Sequence, residues 1–434
     1  MYQVKYGSGF SGGTVTAPPS KSAAIRALLC AALTAGGCML KNIEPSEDVS
    51  AAIKAVEALG GRVSLDKAQK TAWVEAGEFT GGSEVDCGES GSLLRFLIPI
   101  AAALGGRWRF TGRGRLPQRP IGLYQELLPA HGVEFRSKTG GLPLEIEGSL
   151  TPGRFELPGN ISSQFVTGLM FALPLLPEDS EIVLTSPLES RGYVDMTWDI
   201  LGDFGIKLIS TPKGWRAPGK QRYKGVSYAV EGDWSQAAFF LNMAALSPQG
   251  SQVRIAGLNP ESLQGDMACL EVFGRFGLKT RWEKGELVAW NPHAEEPFGG
   301  LTGQTLDVSQ ITDMVPAASV CAALSRGETR FVNGQRLRLK ESDRLAAMEQ
   351  AINALGGRAR IQGDDLIIEG VESLDGGLAQ GCNDHRVLMA LAGAGLRSKS
   401  PVQVTDAWSI QKTYPNFYEE FRNLGGEADV LQLG

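Results

Sequence analysis

Between Arg338 and Arg344 the chain reads Arg-Leu-Lys-Glu-Ser-Asp-Arg, setting two cations and two carboxylates at helical spacing where a helix is expected to begin. Lys340 and Arg344 are four apart, so on a helix they share one face, with Glu341 one step round from Lys340. The following LAAMEQAINALGG is apolar at Leu345, Met348, Ile352 and Leu355 and closes on a Gly-Gly stop. A helix start with free backbone N–H groups, a lysine and an arginine can hold an anion. A carboxylic acid beside it can move protons. Taken alone, the same spacing also describes an ordinary charged helix face.

Other helix starts carry similar chemistry. Lys21, Ser22 and Arg26 surround one, with Pro18-Pro19 fixing the approach. Lysine, hydroxyl and exposed N–H groups suit phosphate, although the spaced glycines of a nucleotide-binding P-loop are missing. In Glu89-Ser90-Gly91-Ser92, Gly91 lets backbone come close to a ligand. Ser162-Ser163-Gln164 offers two hydroxyls and an amide, and Ser-Ser before a helix is more often only an N-cap. Asp307 and Asp313 flank a further helix start, where either is a cap or a base. Asn383-Asp384-His385-Arg386 joins a titratable imidazole to a fixed cation, and a lone histidine is more often structural. Arg113, Arg115 and Arg119 lie in a Gly/Pro loop, and Lys412 precedes a helix expected from Pro415.

Six segments position these residues. Each opens on a small polar or Gly-rich turn and continues as a helix dense in Ala, Leu and Met, starting near Pro19, Cys87, Gly159, Glu231, Asp307 and Cys382. The spacing is about seventy residues, enough for a supersecondary unit per repeat. Helices apolar nearly all round must be buried. Each is followed by a strand-like stretch and a second, amphipathic helix ending on glycine, after Leu59, His131, Phe204, Phe276, Leu355 and Leu424. The architecture expected is six α/β repeats, three per domain, with a break near Val230-Glu231; the N-terminal strand, roughly residues 1–18, fits either half.

At 434 residues two domains are the natural division. The net charge of −6 argues against a general nucleic-acid binder without excluding a local basic pocket. Apolar runs such as 96–104 and 166–176 are too short to span a bilayer, and no basic start with an apolar run opens the chain. Six scattered cysteines and three histidines give poor support for a metal site. The expectation is a reduced, cytoplasmic, monomeric protein with no metal, no cofactor and no membrane or nucleic-acid partner.

Together these motifs resemble the enolpyruvylshikimate-phosphate synthase family. The resemblance runs essentially end to end, from PSKSAAIRALL through QRPIG, SSQF, EGDWS, KESDR and NDHR to KTYPNFYEEF. It implies an α/β fold of two similar domains, each of three βαβαββ-type repeats forming an inside-out α/β barrel. Residues 19–230 would form one, and 1–18 with 231–434 the other, with substrates held in the cleft. The implied reaction joins shikimate 3-phosphate to phosphoenolpyruvate and releases phosphate, as a step toward the aromatic amino acids. By resemblance Lys21 touches both substrates and assists catalysis. Ser22, Arg26, Ser162, Ser163, Gln164, Ser190, Tyr193, Asp313 and Lys340 serve shikimate 3-phosphate. Gly91, Arg119, Gln164, Arg344, Arg386 and Lys412 serve phosphoenolpyruvate. Asp313 is implied as the base for the attacking hydroxyl and Glu341 as the residue moving the proton at the methylene carbon.

The chemistry fits those residue types. Both ligands carry a phosphate and a carboxylate, so cations must offset their repulsion. Arginine pairs bidentately with either anion, while lysine supplies a mobile point charge. General acid–base help is worth about a hundredfold to ten-thousandfold, and alignment of two reactants roughly 7–11 kcal/mol. The chain departs from the family pattern at Glu89 and Arg336, where many members have asparagine, and Phe96 replaces a common nearby proline. Related transferases acting on a UDP-linked amino sugar carry a cysteine before their Arg-Pro pair, and 112–117 has none. RNA terminal-phosphate cyclases share a related repeat, but no nucleotide-linked histidine motif or basic face is present. A non-catalytic anion-binding protein would keep the same cations without needing Asp313 and Glu341.

Overall fold

The computed structural model describes residues 2–79, 81–248 and 250–432. Among them the six apolar segments fold as helices α1 (Lys21–Ala32), α3 (Gly91–Leu104), α5 (Ser163–Ala172), α7 (Trp234–Leu246), α9 (Val315–Ala323) and α11 (His385–Gly395). They alternate with α2 (Glu47–Ala58), α4 (Gly122–Leu127), α6 (Arg191–Asp203), α8 (Cys269–Phe276), α10 (Arg344–Ala354) and α12 (Phe417–Asn423). The first set is buried nearly all round, as its composition requires; every residue of α7 is buried. The glycines that follow the second set, Gly60, Gly132, Gly205, Gly277, Gly356 and Gly425, all take positive φ. Glycine adopts that conformation without a Cβ clash and turns the chain into the next strand.

Among the described residues each repeat builds one four-stranded sheet, six in all. The strand before a buried helix pairs parallel with the strand after it, as 84–86 does with 107–111 across α3. The second helix then leads to an antiparallel hairpin, here 133–137 with 144–148. Three repeats are completed by distant strands. Tyr2–Tyr6 lies between Val402–Thr405 and Ala428–Gln432, while Gly13–Thr16 pairs with Val253–Ala256. Ser227–Ala229 closes the first repeat by pairing with Gly37–Lys41.

The chain divides into two compact units, 19–231 and 1–18 with 232–434. Each has its own apolar core. In the first, α3 packs on α5; in the second, α7, α9 and α11 pack on one another. No helix among the described residues is long and apolar enough to cross a membrane.

Candidate active site

In the unit of 1–18 with 232–434, three elements converge on one carboxylate. Asp313 lies just ahead of α9, Lys340 ends the 3-10 turn Gln335–Leu339, Arg344 opens α10 and Arg386 is the second residue of α11. Lys340 Nζ and Arg344 Nη1 each reach Asp313 Oδ1 at 2.9 Å, and Arg386 Nη2 reaches Oδ2 at 3.1 Å. Burial alone would raise the Asp313 carboxyl, yet Arg386, Lys340 and Arg344 hold it well below the usual carboxylate range. Asp313 is therefore ionised at neutral pH.

Lys340 and Arg344 do not share a helix face, contrary to the spacing argument. α10 begins only at Arg344, its N-cap Asp343 accepts from Ala346 N–H, and Lys340 is extended. An aspartate cap outcompetes continuation of the helix toward Lys340 and fills the first-turn donor that an anion would have used. The two cations meet instead because both turn onto Asp313.

Arg344 is held from its other edge. Its Nε and Nη2 lie 2.8 and 3.3 Å from the oxygens of Asp384, which also accepts from Ser342 Oγ and from Arg386 N–H at 2.9 Å each. Asp384 is fully buried and caps α11. Two carboxylates flanking one guanidinium raise its pKa against the effect of burial. Beside this cluster Glu341 Oε2 lies 2.9 Å from His385 Nδ1, whose Nε2 is 3.2 Å from Thr413 Oγ1. Lys412 Nζ is 3.8 Å from the same Glu341 oxygen and donates to the Asn383 carbonyl at 2.6 Å. Left-handed Cys382 and Asn383 turn the chain just before α11. Ligand atoms of Glu341, Asp384 and His385 lie within 4.8 Å of one another, but Arg344 and Ser342 already occupy the Asp384 oxygens, which a cation would have to displace.

Arg336 is buried and donates to the Ser309 carbonyl at 3.1 Å. Burial brings the Lys340 ammonium down to about 8 despite Asp313, with Arg336 and Arg344 adding to the fall.

In the unit of 19–231 the candidate residues gather at the starts of α1, α3, α5 and α6. Lys21 is paired with Asp48 at 2.9 Å, and Ser20 caps α1. Arg26 is buried; its nitrogens donate to Thr197 Oγ1, the Ser22 carbonyl and the Tyr193 carbonyl at 2.8, 2.7 and 3.2 Å, and it lies over the Phe96 ring. Phe96 thus forms the platform for a cation. At the start of α3, Ser90 makes no side-chain cap. The Arg119 guanidinium lies against Gly91, so close that a Cβ there would come within 2.3 Å of Nη1. Ser162 caps α5 by accepting from Gln164 N–H at 3.3 Å, and Ser163 is buried. Ser190 precedes α6 in the left-handed conformation. The Glu89 carboxylate is turned onto Gly114, where a Cβ would lie 2.5 Å from its carboxyl carbon.

Several functional positions escaped the sequence reading. Asp48 and Asp384 hold cations, Thr197 holds Arg26, and Thr413 holds His385. The available signal for Asp384 was its place as the residue before an apolar helix. Arg95 was legible as the lone charge within the apolar run of α3, since a buried charge must find partners.

Comparison with known proteins identifies the family. Residues 7–421 match the family model described as EPSP synthase (3-phosphoshikimate 1-carboxyvinyltransferase). A 3-phosphoshikimate 1-carboxyvinyltransferase from Clostridium perfringens is 41% identical over 419 residues, covering 95% of this chain and 96% of the relative. One from Clostridium beijerinckii is 40% identical over 443 residues, covering 100% of both. Among solved structures, EPSP synthase from Acinetobacter baumannii superposes with a TM-score of 0.81 at 23% identity over 100% of each chain. The enolpyruvyl transferase NikO from Streptomyces tendae gives 0.78 at 17% identity over 100% of this chain and 99% of that one. At those identities the two structures speak for the fold, which is the enolpyruvyl transferase fold. With a family match over residues 7–421 and relatives 40–41% identical over nearly the whole chain, this chain belongs to the EPSP synthase family.

Proposed function

We infer that the protein transfers the enolpyruvyl group of phosphoenolpyruvate to the 5-hydroxyl of shikimate 3-phosphate and releases phosphate, a transferase step in aromatic amino acid biosynthesis. The observation carrying the mechanism is the grip of Lys340, Arg344 and Arg386 on Asp313, with the Glu341–His385 pair on neighbouring elements. Glu341 delivers a proton to the methylene carbon, making the adjacent carbon electrophilic. The acceptor hydroxyl attacks that carbon as Asp313 takes its proton, giving a tetrahedral ketal phosphate. Loss of a proton from the new methyl group, with Glu341 as base, restores the double bond as phosphate leaves with the C–O electron pair and carries off the proton held by Asp313. Addition and elimination thus return Glu341 to its starting state.

Asp313 is a weak base while three cations grip it. Anionic ligands that draw Arg344 and Arg386 away raise its basicity when the acceptor is in place. Lys340 keeps the acceptor beside Asp313, and Lys412 with Arg344 and Arg386 neutralises phosphoenolpyruvate. Residues 19–230 serve mainly shikimate 3-phosphate, through Lys21, Ser22, Arg26, Ser162, Ser163, Gln164, Ser190 and Tyr193. Gly91 and Arg119 add to the phosphoenolpyruvate set, and Lys21 and Gln164 serve both ligands. Residues 1–18 with 231–434 carry the acid–base pair. We place the protein in the cytoplasm as a monomer; the six free cysteines, five of them buried, fit a reducing compartment.

The test is phosphate release from phosphoenolpyruvate with shikimate 3-phosphate, run beside UDP-N-acetylglucosamine as the alternative acceptor. Release with the first acceptor alone is expected. No release with either would leave an anion-binding protein, with Glu89 and Arg336 the first substitutions to revert to asparagine.

A further inference from the structure

Arg95 is the one charged side chain on α3, and it is only 3% exposed. No carboxylate among the described residues pairs with it. Its Nε and Nη2 donate to the Pro120 carbonyl at 3.2 and 2.8 Å, and Nη1 donates to Gln164 Oε1 at 2.5 Å. Its guanidinium lies 5.1 Å from the centre of the Phe165 ring. Tyr124 Oη donates to the Arg95 carbonyl at 2.8 Å and lies 3.1 Å from that of Phe165, tying α3 to α5 at this point. A buried cation held only by neutral groups is a poor contribution to folding, so its retention calls for another role.

Its two partners explain that role. Pro120 directly follows Arg119, so Arg95 grips the backbone that carries the cation lying on Gly91. Gln164 has an oxygen at one end of its amide and a two-hydrogen donor at the other. An arginine can only donate, so the Gln164 oxygen must face Arg95 and Nε2 must point away. No protein partner among the described residues takes that Nε2. The amide is thereby fixed with its donor end available to an anion, and the positive field of Arg95 reinforces it.

We propose that Arg95 is a positioning residue for the phosphoenolpyruvate subsite: it holds the Arg119 loop in place and locks Gln164 as a donor. This rests on the function proposed above. Wild-type turnover is therefore measured first; its absence would sink that reading and leave Arg95 unaddressed only until anion binding by the same variants is measured with phosphate.

Arg95→Met and Arg95→Lys are compared with wild type in steady state, with thermal unfolding as the folding control. Loss of charge-assisted bonds of this kind corresponds to a rise in the KM for phosphoenolpyruvate of roughly ten- to hundredfold. Arg95→Lys, which keeps the charge but not the fork, should fall between Arg95→Met and wild type. Gln164→Ala on the Arg95→Met background should cost less than in wild type, because part of the Arg95 effect runs through that amide. Should Arg95→Met fail to fold, Gln164→Glu carries the test. It keeps a partner for Arg95 and hence the fold, but turns an oxygen toward the anion and raises the same KM. An unchanged KM in either folded variant, or strict additivity of the Arg95 and Gln164 losses, overturns the proposal.

Discussion

Arg344 in one unit and Arg26 and Arg95 in the other are buried in opposite ways. Arg344 sits between two carboxylates, Asp313 and Asp384, and is raised in pKa by them. Arg26 and Arg95 meet only carbonyls, a hydroxyl and an amide oxygen, each over a phenylalanine ring, and burial lowers both. The first arrangement is neutralised internally and keeps its carboxylates ionised. The second leaves positive charge uncompensated, which favours arrival of an anion at the price of folding energy. The same residue type is thus buried in two electrostatic environments, one neutralised by carboxylates and one held by neutral groups.

The largest effect should come from the carboxylate that the comparison makes central. Asp313→Asn removes the base while keeping its shape, and kcat should fall about 100- to 10,000-fold. Phosphate release under saturating substrates measures it. A fall below tenfold would remove Asp313 from the proton path and leave it as a structural counter-ion for Lys340, Arg344 and Arg386.

Stability distinguishes the two kinds of arginine directly. Asp384→Ala leaves Arg344 with one carboxylate and Ser342 without its acceptor, a loss of about 3–5 kcal/mol. Arg26→Met should cost less, about 1–2 kcal/mol, because its partner Thr197 keeps bonds to Thr167 and to the Tyr193 carbonyl. Urea unfolding of the two variants gives the difference. Equal losses would mean that neutral partners hold a buried guanidinium as firmly as carboxylates do, and the contrast between the units would collapse.

A smaller effect is expected at the uncompensated side. Gly91→Ala would put a methyl group 2.3 Å from Arg119 Nη1, so the guanidinium must move. Arg119 is the far end of a flexible side chain, and stability should hardly change. The KM for phosphoenolpyruvate should rise about tenfold, equivalent to roughly 1.4 kcal/mol, with kcat nearly kept. A lowered kcat with an unchanged KM would mean that Gly91 serves the chemistry rather than Arg119.

What the sequence disclosed was what is encoded locally. The buried helices announce themselves through all-round apolar composition, and their partners through the glycine just past each end. The strand exchanges are invisible at that level: nothing in Tyr2–Tyr6 or Gly13–Thr16 says that the first completes a sheet near residue 404 and the second one near residue 254. Side-chain geometry was hidden for a related reason. The 338–344 motif was found, but its helical reading ignored the capping power of Asp343, and the meeting of Lys340 with Arg344 depends on Asp313, distant in sequence. Glu89 is likewise placed by the fold of its loop, which sets its carboxylate close against Gly114.

The smallest effect concerns pH and sharpens the neutralised side of the comparison. Lys340 titrates at about 8 in the folded protein, below its ordinary value of 10.5. The unfolded chain therefore binds this proton more tightly, so between those two values stability rises with pH as far as Lys340 contributes; below about 8 its penalty is constant. Activity should run the other way. Lys340 must be charged to hold the acceptor, so kcat/KM for shikimate 3-phosphate should fall severalfold as pH rises through about 8. Lys340→Arg cannot lose its proton in that range, and its profile should stay flat there even if its absolute activity is lower. A variant that retained the same alkaline fall would assign it to another group and show that Asp313 keeps Lys340 charged well beyond that pH.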